Sequence, residues 1–336
     1  MEVGLFFTFR NPPPWRRPPA DLYADCLAQI RLADDAGFDG VWLGEHHFTD
    51  DGFAPSLMTL AAAVAAQTTR VRIGTYVLLL PQHHPVRLAE AATAVDVLSN
   101  GRLVLGLGLG YRPDEFAAVG LDYRRRGDVM DECLEILVGC FTQEVFSFEG
   151  RYFQVADVAM TPRPVQEPMP PILLGGSGER MLRRAARFGC SGLALAPPPA
   201  LADRHAQLVR EHGGDPSTQR YIGMAMGFVH EDDGVAWKLA EPHAMWDLDH
   251  YNAWFTGAGL PPQFPNGPRE DCIIGTPDRW IEAVAERCRH VRCDHLVVSL
   301  TGSGMAHADV MRAIELFADR VLPALHAMPV VDRATG

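Results

Sequence analysis

The sequence lacks the features that would direct the protein to nucleic acid or to a membrane. It has no long run of basic residues, and its formal net charge is −12, from 30 basic and 42 acidic side chains. Nucleic acids and anionic membranes bind proteins through cationic surfaces, so we expect neither as a partner. No apolar stretch reaches the roughly 18 residues that a membrane helix needs.

The cysteine content does not indicate a disulfide-bonded or zinc-binding scaffold either. The seven cysteines are odd in number and include no C-x-x-C pair, which argues against a disulfide framework and against a zinc knuckle. Residues 1–7 show neither a basic segment nor a cleavage site of small residues, so we expect no secretory signal. Together these observations predict a cytoplasmic protein.

What the chain does contain is an alternation of apolar strands and helical segments over its 336 residues. Most of the strand runs are apolar on both faces, which is typical of a buried parallel sheet with helical crossovers. Eight such units predict an α/β fold, a (β/α)8 or TIM barrel, in a single domain of residues 1–336. The alternative is a doubly wound open sheet. The strand runs are 2–8, 39–44, 71–80, 102–109, 171–175, 191–196, 220–229 and 294–300, and the helical runs are 20–36, 55–67, 85–98, 124–142, 178–187, 200–212, 277–289 and 306–320.

Two insertions interrupt this alternation. Residues 144–170, after the fourth unit, contain VFSFEGRYFQV and predict a small hairpin followed by a proline-rich return. Residues 231–272, after the seventh strand, contain several large aromatic residues, and we expect irregular structure there. Because barrel active sites form on the face where strands end, this second insertion is a candidate active-site lid.

The stretch GEHHF, residues 44–48, places two histidines at the end of the second strand. Adjacent strand residues point to opposite faces, so His46 and His47 cannot both face one metal ion. The sequence has no H-x-H or H-x-x-x-H set, and we expect no metal. A neutral histidine at the carboxyl end of a barrel strand is well placed as a general base. The alternative is a hydrogen-bonded histidine packed at the mouth.

The turn GGSG, residues 175–178, leads from a strand into a helix. Unobstructed N–H groups at a helix start bind anions such as phosphate. The alternative is a plain strand-to-helix turn capped by Ser177, which the same residues would also allow. Glu179 would repel a phosphate, so a counter-charge is needed. The run 124–126, RRR, could supply it or could be a solvated helix start. Alternate glycines in GLGLG, residues 106–110, permit close approach either of a flat ligand or of neighbouring core groups.

These segments together resemble the bacterial-luciferase-like flavin-dependent monooxygenases, over nearly the whole chain. The matching stretches are VWLGEHHFTDDGF (41–53), VRIGTYVLLLPQHHPVRLAEAATAVDVLSNGRLVLGLGLGYRPDEF (71–116), PMPPILLGGSGERMLRRAARFGCSGLAL (168–195) and CIIGTPDRWIEAVAERC (272–288). The resemblance implies a barrel, usually dimeric, that binds flavin at the carboxyl ends of its strands. It also implies that reduced FMN from a separate reductase reacts with dioxygen and oxygenates a small organic substrate.

The resemblance also assigns roles to single residues. His46 is the histidine implicated in flavin chemistry, and His47 is structural. A non-proline cis peptide bond is implied at Tyr76–Val77, beneath the flavin ring, with Gly108 as a further contact. The flavin phosphate is implied at Gly175, Gly176, Ser177 and Gly178.

Arg126 is the expected charge partner of that phosphate. Leu109 stands where the luciferases carry a phosphate-contacting arginine, a departure that bears on flavin identity. In the expected monooxygenase, His46 assists proton transfer, and residues 78–80 and 231–270 exclude water.

Two other functions compete with this one. The first is a dehydrogenase or reductase dependent on the deazaflavin coenzyme F420. A basic rim at the mouth of the barrel would favour this function, because that coenzyme has an acidic polyglutamate tail. A non-catalytic flavin-binding relative is disfavoured by His46 and by the complete set of eight units. The alanine-rich helix at 55–67 would let two subunits pack closely in a homodimer, or would simply pack on the barrel.

Overall fold

A computed structural model describes residues 1–300 and 302–329. The strands are β1 (Glu2–Phe7), β2 (Gly40–Leu43), β3 (Arg72–Thr75), β4 (Leu78–Leu79), β5 (Leu103–Gly108), β6 (Phe146–Glu149), β7 (Gln154–Val158), β8 (Ile172–Leu174), β9 (Gly192–Leu193), β10 (Arg220–Val229), β11 (Ile273–Gly275) and β12 (His295–Ser299). The helices are α1 (Pro19–Asp35), α2 (Leu57–Gln67), α3 (Pro85–Ser99), α4 (Pro113–Ala118), α5 (Arg126–Thr142), α6 (Glu179–Arg187), α7 (Pro199–Glu211), α8 (Asp233–Gly257), α9 (Pro268–Asp271), α10 (Pro277–Cys288), α11 (His307–Arg320) and α12 (Leu322–Ala327).

Eight parallel strands close into a barrel. Around the ring they follow the order β1, β2, β3, β5, β8, β9, β10 and β12, and β12 pairs with β1 to complete the circle. β4 continues the course of β3 and pairs with β5, while β11 pairs with the last residues of β10. The closed ring confirms the predicted (β/α)8 fold, because an open doubly wound sheet would leave its two edge strands unpaired.

The strands take this arrangement because they are buried on both faces. All residues of β2, β5, β8 and β12 are buried, as expected of a parallel sheet covered by helices. Trp42 fills part of the interior, and its indole Nε1 donates to His295 Nε2 at 2.8 Å. A Cβ atom on Gly74 would lie 2.1 Å from the Trp42 ring, so this ring can pack across β3 only because the strand carries glycine there.

The two insertions differ in how well they were predicted. β6 and β7 form an antiparallel hairpin within 144–170. The prediction of irregular structure for 231–272 is wrong, because α8 is a helix of 25 residues with Pro242 inside it. Proline in a helix is unfavourable by itself, but Asp247 of this helix is bound by Arg10 and Ser303 from elsewhere in the chain. These long-range contacts stabilise a helix that local sequence disfavours.

Two smaller differences from the sequence prediction concern the third strand and an additional short helix. The predicted strand 71–80 is split into β3 and β4, and the peptide bond between Tyr76 and Val77 is cis, as the resemblance implied. The short helix α4 was not predicted. All seven cysteines are free, and none of the described helices is long and apolar enough to cross a membrane.

Candidate active site

A cavity of about 830 Å³ opens where the barrel strands end. Every residue that the sequence singled out for chemistry or flavin binding lines this one cavity: His46, Tyr76, Val77, Gly108, Arg126, Gly175, Gly176, Ser177 and Gly178. The parallel strands all end at this face of the barrel, so residues far apart in sequence meet here. What each of these residues binds stays a prediction.

His46 lies at the centre of a buried hydrogen-bonded chain. Its Nδ1 is 2.9 Å from Glu115 Oε1, and its Nε2 is 3.2 Å from the Tyr111 hydroxyl. A carboxylate only accepts, so Nδ1 donates to Glu115, and the Tyr111 hydroxyl can then donate to Nε2. Burial raises the pKa of the Tyr111 hydroxyl, which keeps it protonated and able to donate.

Glu115 was not predicted as a site residue. It is fully buried and also accepts from the His47 N–H at 2.9 Å and from Arg112 Nη1 at 3.3 Å. Its other oxygen, Oε2, has no partner within the described part of the chain. The signal that could have revealed it is Pro-Asp-Glu at 113–115, since proline and acidic residues mark a helix start. That start directly follows a barrel strand, where active-site residues gather.

His47 belongs to a separate cluster with Glu45 and His83. Glu45 Oε1 lies 3.4 Å from His47 Nε2 and 3.2 Å from His83 Nε2, and Glu45 Oε2 accepts from the Leu79 N–H at 2.6 Å. Burial opposes ionisation of Glu45, but the contacts with His47 and His83 outweigh it and lower its pKa to about 2. The same contact raises the pKa of His47. The cluster therefore ties the end of β2 to the residues around β4, as a supporting role for His47 requires.

This cluster also bears on the question of a metal. One ligand atom from each of its three residues lies within 4.8 Å of the others, a set that the sequence did not reveal because His83 comes from a different loop. The three groups could hold a cation. In the structure these groups already contact one another, because the Glu45 carboxylate faces two imidazoles.

The glycine-rich turn has the features of an anion cradle. Gly176 has a φ of +123°, which favours glycine. Gly178 is the N-cap of α6, and no described side chain caps that helix end. The alternative of a turn capped by Ser177 is therefore wrong, and the first N–H groups of α6 are free to bind an anion. Glu179 pairs with Arg204 at 2.6 Å and with Arg183 at 2.7 Å, so its charge is compensated away from the cradle.

Arg126 lines the same cavity as this turn and has one nitrogen without a partner among the described residues. Its guanidinium lies 3.8 Å from the centre of the Tyr123 ring, and Nη1 donates to the Tyr123 carbonyl at 2.9 Å. Its Nε is buried, with no hydrogen-bond partner in the described chain. Arg124 and Arg180 also line the cavity. An anionic group of a cofactor would satisfy both the helix start and this nitrogen.

Between the cradle and His46, the floor of the cavity is built around Val77. A Cβ atom on Gly108 would lie 2.5 Å from Val77 Cγ2, and one on Gly175 would lie 3.2 Å from Val77 Cγ1. A Cβ on Gly106 would lie 2.0 Å from the Thr75 carbonyl oxygen. The alternate glycines are therefore required by neighbouring core groups, whether or not a flat ligand lies above them.

Aromatic rings surround His46, and two of them, Tyr251 and Trp254, belong to α8. The ring centres of Phe53, Trp254 and Tyr251 lie 4.9, 4.8 and 6.3 Å from that of His46. Of the three leucines expected at the mouth, only Leu79 lines the cavity, while Leu78 and Leu80 are buried in the core. Alternation of side chains along this short strand explains the difference.

A buried ion-pair network fixes α8 over the mouth. Arg10, which follows β1, pairs with Asp51 from the loop after β2 and donates to Asp247 of α8 at 2.8 Å. Asp247 in turn accepts from the Ser303 hydroxyl at 2.6 Å and from its N–H at 3.0 Å. None of these residues was predicted, because each lies in a loop or helix whose position is set by the fold.

Comparison with known proteins points to one family. Residues 1–291 match the family model of luciferase-like monooxygenases. The chain is 30% identical to 4-hydroxyprotoasukamycin monooxygenase of Streptomyces nodosus subsp. asukaensis, over 85% of this chain and 82% of that protein. The crystal structure of a monooxygenase from Streptomyces bottropensis is 25% identical and superposes with a TM-score of 0.86, over 97% of this chain and 100% of that one.

More distant structures share the fold and carry different cofactors. The oxygenating constituent of 3,6-diketocamphane monooxygenase from Pseudomonas putida, solved with FMN, has a TM-score of 0.79 at 21% identity, with 96% of this chain and 98% of that chain covered. An F420-dependent secondary alcohol dehydrogenase has a TM-score of 0.75 at 19% identity, with the same coverage of 96% and 98%.

Proposed function

This chain belongs to the luciferase-like monooxygenase family, and we propose that it is an FMN-dependent monooxygenase. In this proposal a separate reductase supplies reduced FMN through a transient contact, and dioxygen oxygenates a small organic substrate. The observation that carries the proposal is that one cavity joins an anion cradle to a buried histidine–carboxylate pair.

The residues present fit a flavin mononucleotide. Its phosphate would be held by the N–H groups at 176–178 and by Arg126, whose buried Nε lacks a partner among the described residues. Its ring system would lie over Val77 and Gly108, on the floor of the cavity. When bound, the reduced flavin supplies the electrons that activate dioxygen.

The protein supplies proton control and a dry environment. His46 Nε2 can take up or return a proton at the reacting centre, and Glu115 at Nδ1 stabilises the imidazolium that forms. Glu115 also fixes the orientation of the ring, since it is itself held by Arg112 and by the His47 N–H. The aromatic residues of α8 and Leu79 exclude water, which strengthens these electrostatic contacts.

An anaerobic titration of the protein with reduced FMN tests this assignment. We expect reduced FMN to bind more tightly than reduced riboflavin, because riboflavin lacks the phosphate. After air is admitted, we expect flavin oxidation to be slower than that of free reduced FMN, since bound flavin is shielded from water and protons. Equal affinity for FMN and riboflavin would contradict the role of the cradle, and oxidation at the rate of free flavin would contradict shielding.

One observation favours a second candidate, an enzyme dependent on coenzyme F420. Arg124, Arg126 and Arg180 all line the cavity that contains the cradle, and no ion pair of Arg124 or Arg180 is present in the described structure. Such a set of arginines would suit an acidic tail as well as a single phosphate. The same titration with reduced coenzyme F420 separates the two, because binding of F420 alone, with no oxidation by air, would replace the first proposal.

The assembly that we propose is a homodimer through α2. Ala62, Ala63 and Ala66 are not buried within the subunit, and small residues allow close approach of a second helix. Light scattering that gives a dimer mass, and a monomer for Ala63→Arg, would support this interface. A monomer of constant mass across concentrations would rule it out.

A further inference from the structure

The half of the cavity that faces His46 is lined by aromatic rings from separate parts of the chain. Six rings contribute: Phe6, Phe53, Tyr111, Tyr251, Phe255 and Phe264. Tyr251 and Phe255 lie one turn apart on α8 and therefore project from the same face of that helix. Tyr111 and Phe255 pack with ring centres 4.4 Å apart, and Tyr251 and Phe264 with centres 6.0 Å apart. Such a surface favours a flat aromatic ligand, whose ring can pack edge-on or offset against several others.

Arg10 and Asp247, which line this half, form ion pairs within the protein. Arg10 uses Nε for Asp51 and Nη1 for Asp247, and both oxygens of Asp247 accept further bonds from Ser303. The side chains of Arg10, Asp51 and Asp247 together carry a net formal charge of −1. Arg10 Nη2 is buried without a hydrogen-bond partner among the described residues. The net charge of the three side chains is nevertheless negative, so burying an anionic ligand beside them is costly in an enclosed apolar site.

The tyrosines in this half are also uncharged. Burial raises the pKa of the hydroxyls of Tyr111 and Tyr251, so both stay protonated near neutral pH. Thr8, Gln263 and Ser299, which also line the cavity, carry no charge. Arg124 and Arg180, which line the same cavity, form no ion pair within the described structure.

We propose that the substrate is an uncharged compound with a flat aromatic ring system, bound between α8 and the floor of the cavity with its ring against Tyr251 and Phe255. The inference rests on the proposed function only in reserving the cradle for the flavin. It follows from ring packing and from charges that are already paired, and it concerns a ligand class that nothing in the sequence specified.

Calorimetric titration of the flavin-free protein tests the proposal with three probes: 2-naphthol, its anionic counterpart 2-naphthoate, and the aliphatic octan-1-ol. Phosphate buffer keeps the cradle occupied, so that 2-naphthoate cannot bind there. We expect 2-naphthol to bind about tenfold more tightly than either of the others, because it alone is both aromatic and uncharged. Equal binding of 2-naphthol and octan-1-ol would overturn the aromatic class, and stronger binding of 2-naphthoate would overturn the uncharged class.

Two variants locate the site. Phe255→Ala should weaken 2-naphthol binding about tenfold, whereas Phe148→Ala, on the hairpin outside the cavity, should leave it unchanged. Gln263→Arg places a cation on an exposed position at the rim, and it should tighten 2-naphthoate binding about tenfold with little effect on 2-naphthol. If Phe255→Ala does not change the affinity for 2-naphthol and Gln263→Arg does not change the affinity for 2-naphthoate, the proposed location is wrong. Because no flavin is present, these outcomes stand apart from success or failure of the oxygenation test.

Discussion

Replacement of Glu45 by glutamine should expose how strongly the end of β2 is tied to its neighbours. Glu45 is 3% exposed, and its carboxylate accepts from the Leu79 N–H and faces the imidazoles of His47 and His83. These contacts lower its pKa from the ordinary 4.5 to about 2. At about 1.4 kcal/mol for each pKa unit, the ionised carboxylate stabilises the native state by about 3 kcal/mol.

The sign of the pH dependence follows from the lowered pKa. Above pH 4.5, Glu45 is ionised in both folded and unfolded chains, and its full contribution is present. As pH falls towards 2, the unfolded chain takes up the proton first and the contribution is lost. Wild type should therefore exceed Glu45→Gln in free energy of unfolding by about 3 kcal/mol at neutral pH, and by about half of that near pH 3.

Urea unfolding of both proteins over this pH range measures the difference. Glu149→Gln, at an exposed position on the hairpin, serves as the control and should differ from wild type by less than about 0.5 kcal/mol throughout. A difference between wild type and Glu45→Gln that stays constant from pH 7 to pH 3 would refute the reasoning, because it would show that the Glu45 carboxylate is not held in its ionised form.

Four other changes address the site itself. His46→Ala should retain flavin binding but release more hydrogen peroxide for each flavin oxidised in the presence of substrate; unchanged coupling would remove His46 from proton transfer. Glu115→Gln should lower turnover about 10- to 100-fold without weakening flavin binding, since a charge-assisted hydrogen bond contributes about 1.5–3 kcal/mol; wild-type turnover would contradict its role. Arg126→Met should weaken FMN binding about tenfold and leave riboflavin binding unchanged, because only FMN has a phosphate; an equal loss for both would contradict the assignment. Gly108→Ala should lower the unfolding free energy by about 1–3 kcal/mol, because its Cβ would lie 2.5 Å from Val77 Cγ2; failure of the added Val77→Ala to restore stability would show that this contact is not the cause.

The fold and the outline of the site could be predicted from the sequence, because both depend on local patterns. Strands that are apolar on both faces are typical of a covered parallel sheet, and eight of them in alternation with helices predicted a barrel, with a doubly wound open sheet as the alternative. His46 and the turn at 175–178 directly follow such strands, so the fold itself brought them to one cavity. The resemblance added the cis bond at Tyr76–Val77, which no spacing rule would have suggested.

Only the tertiary structure decided which side chains meet. His46 and Glu115 are 69 positions apart, Glu45 and His83 are 38 apart, and Arg10 and Asp247 are 237 apart. Each pair joins segments that become neighbours only when the barrel closes. The pattern of residues within one segment does not indicate which distant segment it will contact. For the same reason α8 was not predicted: it contains Pro242, and its contacts with Arg10 and Ser303 come from segments far away in sequence.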